Sequence, residues 1–341
     1  MRADPHSSLR DTGGCALTIV VPIYRSEAIV EVLVEEVRAA MQSMGLEHSF
    51  ELILVNDGSP DASWSRIVTL ADRFLFVRGI CLMRNFGQHN AILAGLRASV
   101  GNVVVVMDDD LQHSPADIAR LLDAIKSGAD VCYTAYLNRH HALWKRAGSW
   151  FNNLMATWLL RKPYRLYLSS FKAIRREVVD EIIKHDGPFA YIDGLILDVT
   201  RSITMIDIDH RQRLLGDTNY TLRKSISLWL IMATGFSVQP MRLASLLGLS
   251  LSTLSLLLSG AVIVDKILRP ETQPGWTSIV AAVLFVGGVQ LICLGLLGEY
   301  LGRAYLKING KPQYAIRLTY PPRSEALNTE MKAVAESRDE G

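Results

Sequence analysis

Two stretches in the last third of the chain set the strongest limit on what it can fold into. Residues 243–264, between Arg242 and Asp265, carry no charge, and neither do residues 272–298, between Glu271 and Glu299. As helices rising about 1.5 Å per residue, both exceed the roughly 30 Å hydrocarbon core of a bilayer. A buried hairpin in a soluble protein has no need of that length. The expectation is two transmembrane helices, about 243–264 and 276–298, with Gly248, Gly260, Gly287, Gly288, Gly295 and Gly298 permitting close helix packing. Arg223, Lys224 and Arg242 precede the first run, and Arg303, Lys307, Lys311, Arg317 and Arg323 follow the second. By the positive-inside rule both flanks are cytoplasmic and the short loop faces out. Ile226–Val238, with Trp229 and Phe236 after a basic start, suits a helix lying in the interface plane.

The rest of the composition fits a membrane-attached protein. Apolar residues make up 49% of the chain and its net charge is +2, which implies no nucleic acid or other polyanionic partner. Cys15, Cys81, Cys132 and Cys293 show no C-x-x-C spacing, so they read as reduced thiols with neither a disulfide framework nor a zinc site. Residues 1–16 are polar, with Arg2, Asp4, Arg10 and Asp11 and no apolar run, so a secretory signal is not expected and the N-terminal domain stays in the cytoplasm.

From residue 17 onward, short apolar runs alternate with helical periodicity. Leu17–Ile23, Phe50–Val55, Phe76–Leu82, the run from Val103, Asp130–Ala135 and Ile203–Ile208 read as strands. Helices are expected at 27–44 with Ser26 as cap, from the Asn56–Asp61 turn to about Phe74, and at 90–99, 115–127 and 176–183. Such alternation predicts a doubly wound, mainly parallel sheet.

Within it, Val103–Gln112, VVVVMDDDLQ, is the most telling stretch. A β-branched run reads as a buried central strand, and it delivers Asp108, Asp109 and Asp110 to a polar edge with Gln112 beyond. In an extended segment Asp108 and Asp110 point the same way. Two carboxylates and an amide oxygen form an all-oxygen set for Mg²⁺ or Mn²⁺, whose usual second partner is a pair of phosphates. Loops Tyr24–Glu27, Asn56–Asp61 and Asp108–Gln112 all leave the carboxyl ends of strands, where open α/β sheets bind ligands. Asp57 can accept hydrogen bonds from a base or ribose, and Arg84, Asn85 and Gln88 add donors. No G-x-G-x-x-G or Walker A sequence is present, so the pattern favours a nucleotide with a metal-held diphosphate over a dinucleotide or P-loop site.

The order of seven stretches then identifies a resemblance: TIVVPIYRSEA, VNDGSPD, RNFGQHNAILAG, MDDDLQHSP, SSFKAIRREVVD, RLLGDTNYTLRK and GLLGEYLGRAYLKINGKPQY. Over about residues 17–316 the chain resembles the polyisoprenyl-phosphate glycosyltransferases of glycosyltransferase family 2, the group of dolichol-phosphate mannose synthase and the undecaprenyl-phosphate glucosyl and formamido-arabinose transferases. The resemblance implies a Rossmann-like GT-A domain over 17–220, interfacial helices over 221–241, two spans within 242–300 and a cytoplasmic tail over 301–341. It implies a multi-pass inner-membrane enzyme with both termini cytoplasmic. Such an enzyme transfers a sugar, with inversion, from a nucleoside-diphosphate sugar to a polyprenyl phosphate, and a homo-oligomer is compatible with it. Carried over, Pro22, Tyr24, Glu27 and Asp57 hold the nucleoside, with Asp109 beside them, and Asp108, Asp110 and Gln112 hold metal and diphosphate. Lys145, Ser149 and Arg213 contact the lipid phosphate, and Lys172 stands where relatives carry a catalytic-site Arg.

The departures are Arg25 for a common Asn, Asn219 for a common Lys, and Ser170 where some relatives have an Asp proposed as catalytic carboxylate. Without that carboxylate, either the acceptor phosphate serves as its own nucleophile or Asp109 or another acid assists. Two other readings keep the domain: transfer to a different membrane acceptor, or a non-catalytic sugar-nucleotide sensor. The Q-x-x-R-W motif of processive synthases is absent, and Asp57, Asp108, Asp110 and Arg213 are all intact.

Overall fold

The strands form because their residues are apolar on both faces, and the observed sheet buries them so. In the computed structural model, which describes residues 15–136, 163, 166–187, 190–208, scattered positions between 244 and 268, 275–309 and 312–322, the first strands are β1 (Leu17–Ile23) and β2 (Phe50–Asn56). All their residues are buried. Between and after them run α1 (Val30–Ser43), α2 (Ser63–Arg73), β3 (Val77–Leu82), α3 (Gln88–Ala98) and β4 (Val103–Val106). A 3₁₀ turn at Pro115–Asp117 leads into α4 (Ile118–Lys126), followed by β5 (Val131–Tyr136), β6 (Lys172–Arg175), α5 (Arg176–Ile182), α6 (Ile192–Val199) and β7 (Ile203–Ile208). Last come α7 (Trp276–Ile308) and β8 (Ile316–Tyr320).

The sheet order is β7-β5-β6-β4-β1-β2-β3-β8. β1 pairs in parallel with both β2 and β4, and β2 with β3, so the chain winds outward from β1 one way and then returns to its other side with β4. This reversal is a topological switch point, and the crevice for a ligand opens at the carboxyl ends of β1 and β4. Helices α1, α2 and α4 cover one face through Leu33, Val37, Ile67, Leu70, Leu121 and Ile125. On the other face α3 lies so close that a Cβ on Gly95 would stand 2.3 Å from Val20 Cγ1. At the amino end of the strands, buried Glu51 accepts from Thr18 Oγ1 and Arg78 at 2.7 Å and from the Val100 amide at 2.9 Å, tying β1, β2 and β3 to the turn before β4.

The expected mainly parallel α/β architecture is the observed one, with four corrections. β6 is a strand that the sequence reading ran straight into helix 176–183; it lies antiparallel between β4 and β5. β8 belongs to the sheet, antiparallel to β3, so residues 301–341 are not only a tail and the domain does not end at residue 220. The loop after β1 does not use Ser26 as a side-chain cap: α1 starts after Ile29, and the Ser26 hydroxyl is turned to Asp109 instead. The last helix does not stop near 298 but runs to Ile308, because no Pro interrupts it and the first break signal is Asn309-Gly310.

The chain divides into two units: Met1–Leu154 with Lys162–Asn219 and Pro312–Gly341, and Met155–Arg161 with Tyr220–Lys311. In the second, α7 contains a stretch, Phe285–Ile308, long and apolar enough to cross a membrane, with none of it buried within the protein. The helical positions at 244–246 and 248–251 fall in the first expected span; the interfacial segment 226–238 and half of 243–264 lie outside the described residues. So do the N-terminal residues 1–14 and the segment from 323 onward.

β8 shields the edge of β3, and Gln313 just before it donates to the Gly187 carbonyl at 2.6 Å. A chain ending at Lys311 should therefore lose sheet stability, with β3 exposed as an unpaired edge. The expected outcome is a thermal midpoint several degrees lower and faster proteolysis of the catalytic unit; an unchanged midpoint would refute a structural role for β8.

Candidate active site

The site grows from the end of β4. The valines are fully buried, and Met107 is as well, but β4 ends at Val106 and the aspartates leave the ladder. Leu111, buried, takes a left-handed φ of +57°, which turns the chain sharply. Such a conformation in a non-glycine residue costs about 1–3 kcal/mol and is held by its surroundings. The expected strand alternation thus stops short of the aspartates, and the three carboxylates are aimed at different partners.

Asp108 Oδ1 accepts from Gln88 Nε2 at 2.6 Å, linking β4 to the first residue of α3. The Ser170 hydroxyl is a neighbour that favours the ionised form of Asp108. Burial, with Asp110 and Asp109 nearby, outweighs that hydroxyl and the Lys172 charge and pushes the Asp108 carboxyl up to about 6. Asp109 Oδ2 accepts from the Tyr24 amide at 3.3 Å and from the Ser26 hydroxyl, so Asp109 fastens the loop after β1 to the loop after β4. Asp110 is buried, and its Oδ1 accepts from the Gln112 amide at 3.2 Å.

The loop after β1 has its own left-handed residue, Arg25 at φ +59°, whose amide donates to Ser59 Oγ at 2.8 Å. An Asn, the common residue there among relatives, adopts this conformation more easily. Arg25 instead lays its guanidinium over the Tyr24 ring, 5.5 Å from the centroid. Tyr24 is exposed at the crevice mouth, while Pro22 is buried inside β1 opposite Val55. Glu27 Oε2 accepts from the Ala62 amide at 3.2 Å. Burial raises the Asp61 carboxyl, but bonds from the hydroxyls of Ser59 and Ser63 and the amides of Ser63 and Glu27 win and hold it below the usual range.

Asp57 sits buried at the end of β2, where the amides of Phe86 and Gly87 donate to its two oxygens at 2.7 and 2.9 Å. Burial nevertheless raises its carboxyl above the ordinary value. Asp57 therefore braces the β3–α3 loop, and any base or ribose contact uses its remaining lone pairs. Gly58 follows at φ +60°, and a Cβ there would lie 2.3 Å from the Arg84 carbonyl carbon.

Lys172 reaches the neighbourhood of Asp108, but its ammonium is turned inward: it is 2% exposed and ion-paired with Asp193. Tyr133 also donates to Asp193 Oδ1, at 2.9 Å. His89, with its ring edge-on to Tyr191 at 4.9 Å, is held neutral, its imidazole lowered to about 4 chiefly by burial. Tyr133, His89 and Asp193 were not anticipated; the acid in the apolar run AYIDGLIL was the one available signal. Lys145, Ser149 and Arg213, expected at the acceptor phosphate, lie outside the described residues.

Among the described residues no three His, Cys, Asp or Glu side chains gather as a metal cluster. The set that remains, Asp108 and Asp110 with the amide of Gln112, still suits Mg²⁺ or Mn²⁺, which need only one or two carboxylates when phosphates complete the shell. Burial chiefly, with Asp110 and Asp109 beside it, raises the Asp108 carboxyl, and a bound cation would favour its ionised form.

Two variants probe this geometry. Gly58→Ala should cost about 1–3 kcal/mol of stability from its positive φ, and should weaken nucleotide binding at least about tenfold by displacing the Arg84 backbone; melting curves and nucleotide titration read both. For His89, the unfolded imidazole titrates near ~6.5 while the folded one stays neutral to about 4. Stability is thus whole above 6.5 and is lost as pH falls toward 4, and His89→Phe should remove on the order of 1–2 kcal/mol of the pH 7 to pH 5 destabilisation. Unfolding curves at both pH values measure it; an unaltered pH dependence would contradict a neutral buried His89.

Comparison with known proteins places these features. Residues 18–183 match the model of glycosyl transferase family 2, and residues 239–304 match that of the GtrB C-terminal hairpin. The undecaprenyl-phosphate 4-deoxy-4-formamido-L-arabinose transferase of Yersinia enterocolitica is 33% identical over 307 residues, 88% of this chain and 92% of that protein. The enzyme of the same name from Pseudomonas syringae is 34% identical over 304 residues, 88% of this chain and 89% of the relative. Among solved structures, a glucosyl-3-phosphoglycerate synthase from Mycobacterium tuberculosis covers 65% of this chain and 81% of its own at 19% identity, with a TM-score of 0.46. The switch-point crevice with its aspartates and the match along nearly the whole chain lead to one conclusion: this protein is a glycosyltransferase of family 2, in the group that contains the undecaprenyl-phosphate sugar transferases.

Proposed function

We propose that the chain transfers one sugar from a nucleoside-diphosphate sugar to a polyprenyl phosphate of undecaprenyl type at the cytoplasmic face of the inner membrane. The observation that carries this reading is the crevice between β1 and β4, where Tyr24, Asp57, Asp108 and Asp110 lie at the strand ends of a chain matched throughout by undecaprenyl-phosphate transferases.

In this reading the nucleoside lies along Pro22, Tyr24, Glu27 and Asp57, with Asp109 keeping the first loop in place. Asp108, Asp110 and Gln112 would hold Mg²⁺ or Mn²⁺, which when bound neutralises charge on the departing diphosphate. Lys145, Ser149 and Arg213 take the acceptor phosphate. An acceptor phosphate with a second pKa near ~6 is largely dianionic at pH 7 and needs little general-base help. One of its oxygens forms the bond to the anomeric carbon as the bond from that carbon to the diphosphate oxygen breaks, and the electron pair leaves on the nucleoside diphosphate. Attack opposite the leaving group inverts the anomeric centre. Asp109 is engaged with Tyr24 and Ser26, which favours the phosphate acting unaided over Asp109 acting as base. The residues' contribution is alignment and screening of like charge.

The membrane part serves the acceptor. The apolar stretch of α7 and the hairpin match over residues 239–304 support two spans, about 243–264 and one within α7, after an interfacial segment at 221–241. They keep the site at the surface where the prenyl tail holds the acceptor phosphate. The basic flanks favour cytoplasmic ends.

Purified full-length protein in detergent, given undecaprenyl phosphate, Mg²⁺ or Mn²⁺ and a panel of UDP- and GDP-sugars, should yield one lipid-linked sugar by mass spectrometry. The product should vanish with EDTA, and Asp110→Asn should reduce turnover by at least about 10²-fold. No lipid product from any donor, despite nucleotide binding, would overturn the acceptor assignment; full activity in Asp110→Asn would overturn the metal assignment.

A further inference from the structure

The buried group behind Asp108 has no place in the donor or acceptor contacts. Lys172 begins β6 and pairs in register with Val106 of β4 and with Tyr133 of β5. Ser170, two residues before Lys172, is a neighbour of Asp108, two residues after Val106. Val106, Lys172 and Tyr133 are register partners and therefore share one side of the sheet. On that side α6 adds Asp193 from its first turn, where a negative charge is favoured by the helix dipole. Asp193 Oδ1 accepts from both the Lys172 ammonium and the Tyr133 hydroxyl.

Stability does not explain this arrangement. A buried ion pair is commonly no better than apolar residues of the same volume, because two charges lose their water. The electrostatics point elsewhere. The Lys172 ammonium is buried beside the end of the strand that leads into Asp108, Asp109 and Asp110. Its neighbour His89 carries no charge of its own at neutral pH. A fixed ammonium at this place offsets part of the charge of three carboxylates before two further anions, a diphosphate and a phosphate, are brought in.

We propose that Asp193, with Tyr133, is a positioning residue of the transferase site: it holds the Lys172 ammonium at a fixed depth behind Asp108, so that the aspartate cluster can receive an anionic donor and an anionic acceptor together. Asp193 neither touches substrate nor takes a proton; it acts through Lys172. Ser170 is the companion contact, keeping Asp108 oriented where an acidic residue would repel it.

The inference rests on the proposed transfer reaction, and its test separates the two. The parent enzyme is assayed first with undecaprenyl phosphate and the donor it accepts; absence of product there counts against the transfer reading and not against the pair. The charge-free replacement Lys172→Met/Asp193→Leu/Tyr133→Phe removes the pair without orphaning a partner. It should melt at or above the parent temperature and bind the donor nucleotide within about threefold of the parent, yet lose kcat at least about tenfold. Asp193→Asn, which leaves Lys172 and Tyr133 in place, should lose kcat by a similar factor per nucleotide-binding molecule with donor KM little altered. If the triple variant does not fold, this single variant decides. Full kcat in a folded triple variant, or in Asp193→Asn, would overturn the proposal and make the pair a structural feature only.

Discussion

Three consecutive carboxylates at the end of one strand repel each other, and the architecture around the crevice answers that constraint. At a few ångströms, like charges in a partly desolvated site cost several kcal/mol unless other groups compensate. The chain gives each aspartate a separate set of partners drawn from a different element. Asp108 is met by Gln88 of α3 and Ser170 before β6, Asp109 by the loop after β1, and Asp110 by the turn that Leu111 creates. The same bonds that keep the charges apart bind the loop after β1, the start of α3 and the loop after β4 together. The opposite end is tied by Glu51, so the sheet is fastened at both edges of its strands while the crevice stays open.

This division of labour gives some of the crevice carboxylates a structural task. Asp57 and Asp109 carry carboxylates at the crevice, yet their observed partners are backbone amides and a serine. Their first effect is to set two loops in place. Arg25 and Leu111, both in left-handed conformations on loops that flank the crevice, supply the bends those loops need. Strain of that kind persists only where neighbours impose it. The neighbours here are Ser59 and the buried apolar contacts of Leu111.

Much of this could be read from residues alone, for reasons that also explain what could not. β1, β2, β3 and β4 are apolar throughout, and Asn56-Asp57-Gly58 and Asp108-Asp109-Asp110 mark where they end. β6 gave no such signal: KAIR is four residues long, contains a buried lysine, and runs directly into a helix. β8 is mostly exposed, as an edge strand must be, and its charged and polar residues resemble a tail. The inward turn of Lys172 depends on Asp193, twenty-one positions away in sequence and on another element, which no local pattern predicts. The aim of Asp108 and Asp110 failed to follow strand alternation because Val106, not Gln112, is the last residue of the ladder.

The missed strand β8 bears on how the membrane part and the catalytic unit depend on each other. β7 and β8 are the two edges of the sheet, and the chain between them contains the entire segment 209–315, with α7 in it. The catalytic sheet is therefore not complete until the apolar segment has been passed and the chain has returned to pair with β3. A protein cut before Met241 lacks α7 and also lacks β8, Gln313 and Tyr314, which anchor to the loop near Gly187 and to Arg97. Loss of transfer in such a protein would mix the loss of α7 with an open sheet edge. To isolate the apolar segment, residues 312–322 must be kept and joined to the catalytic unit by a flexible linker long enough to reach from one sheet edge to the other. Only then does poor transfer to long-chain acceptors, with nucleotide binding intact, speak for the membrane segment itself.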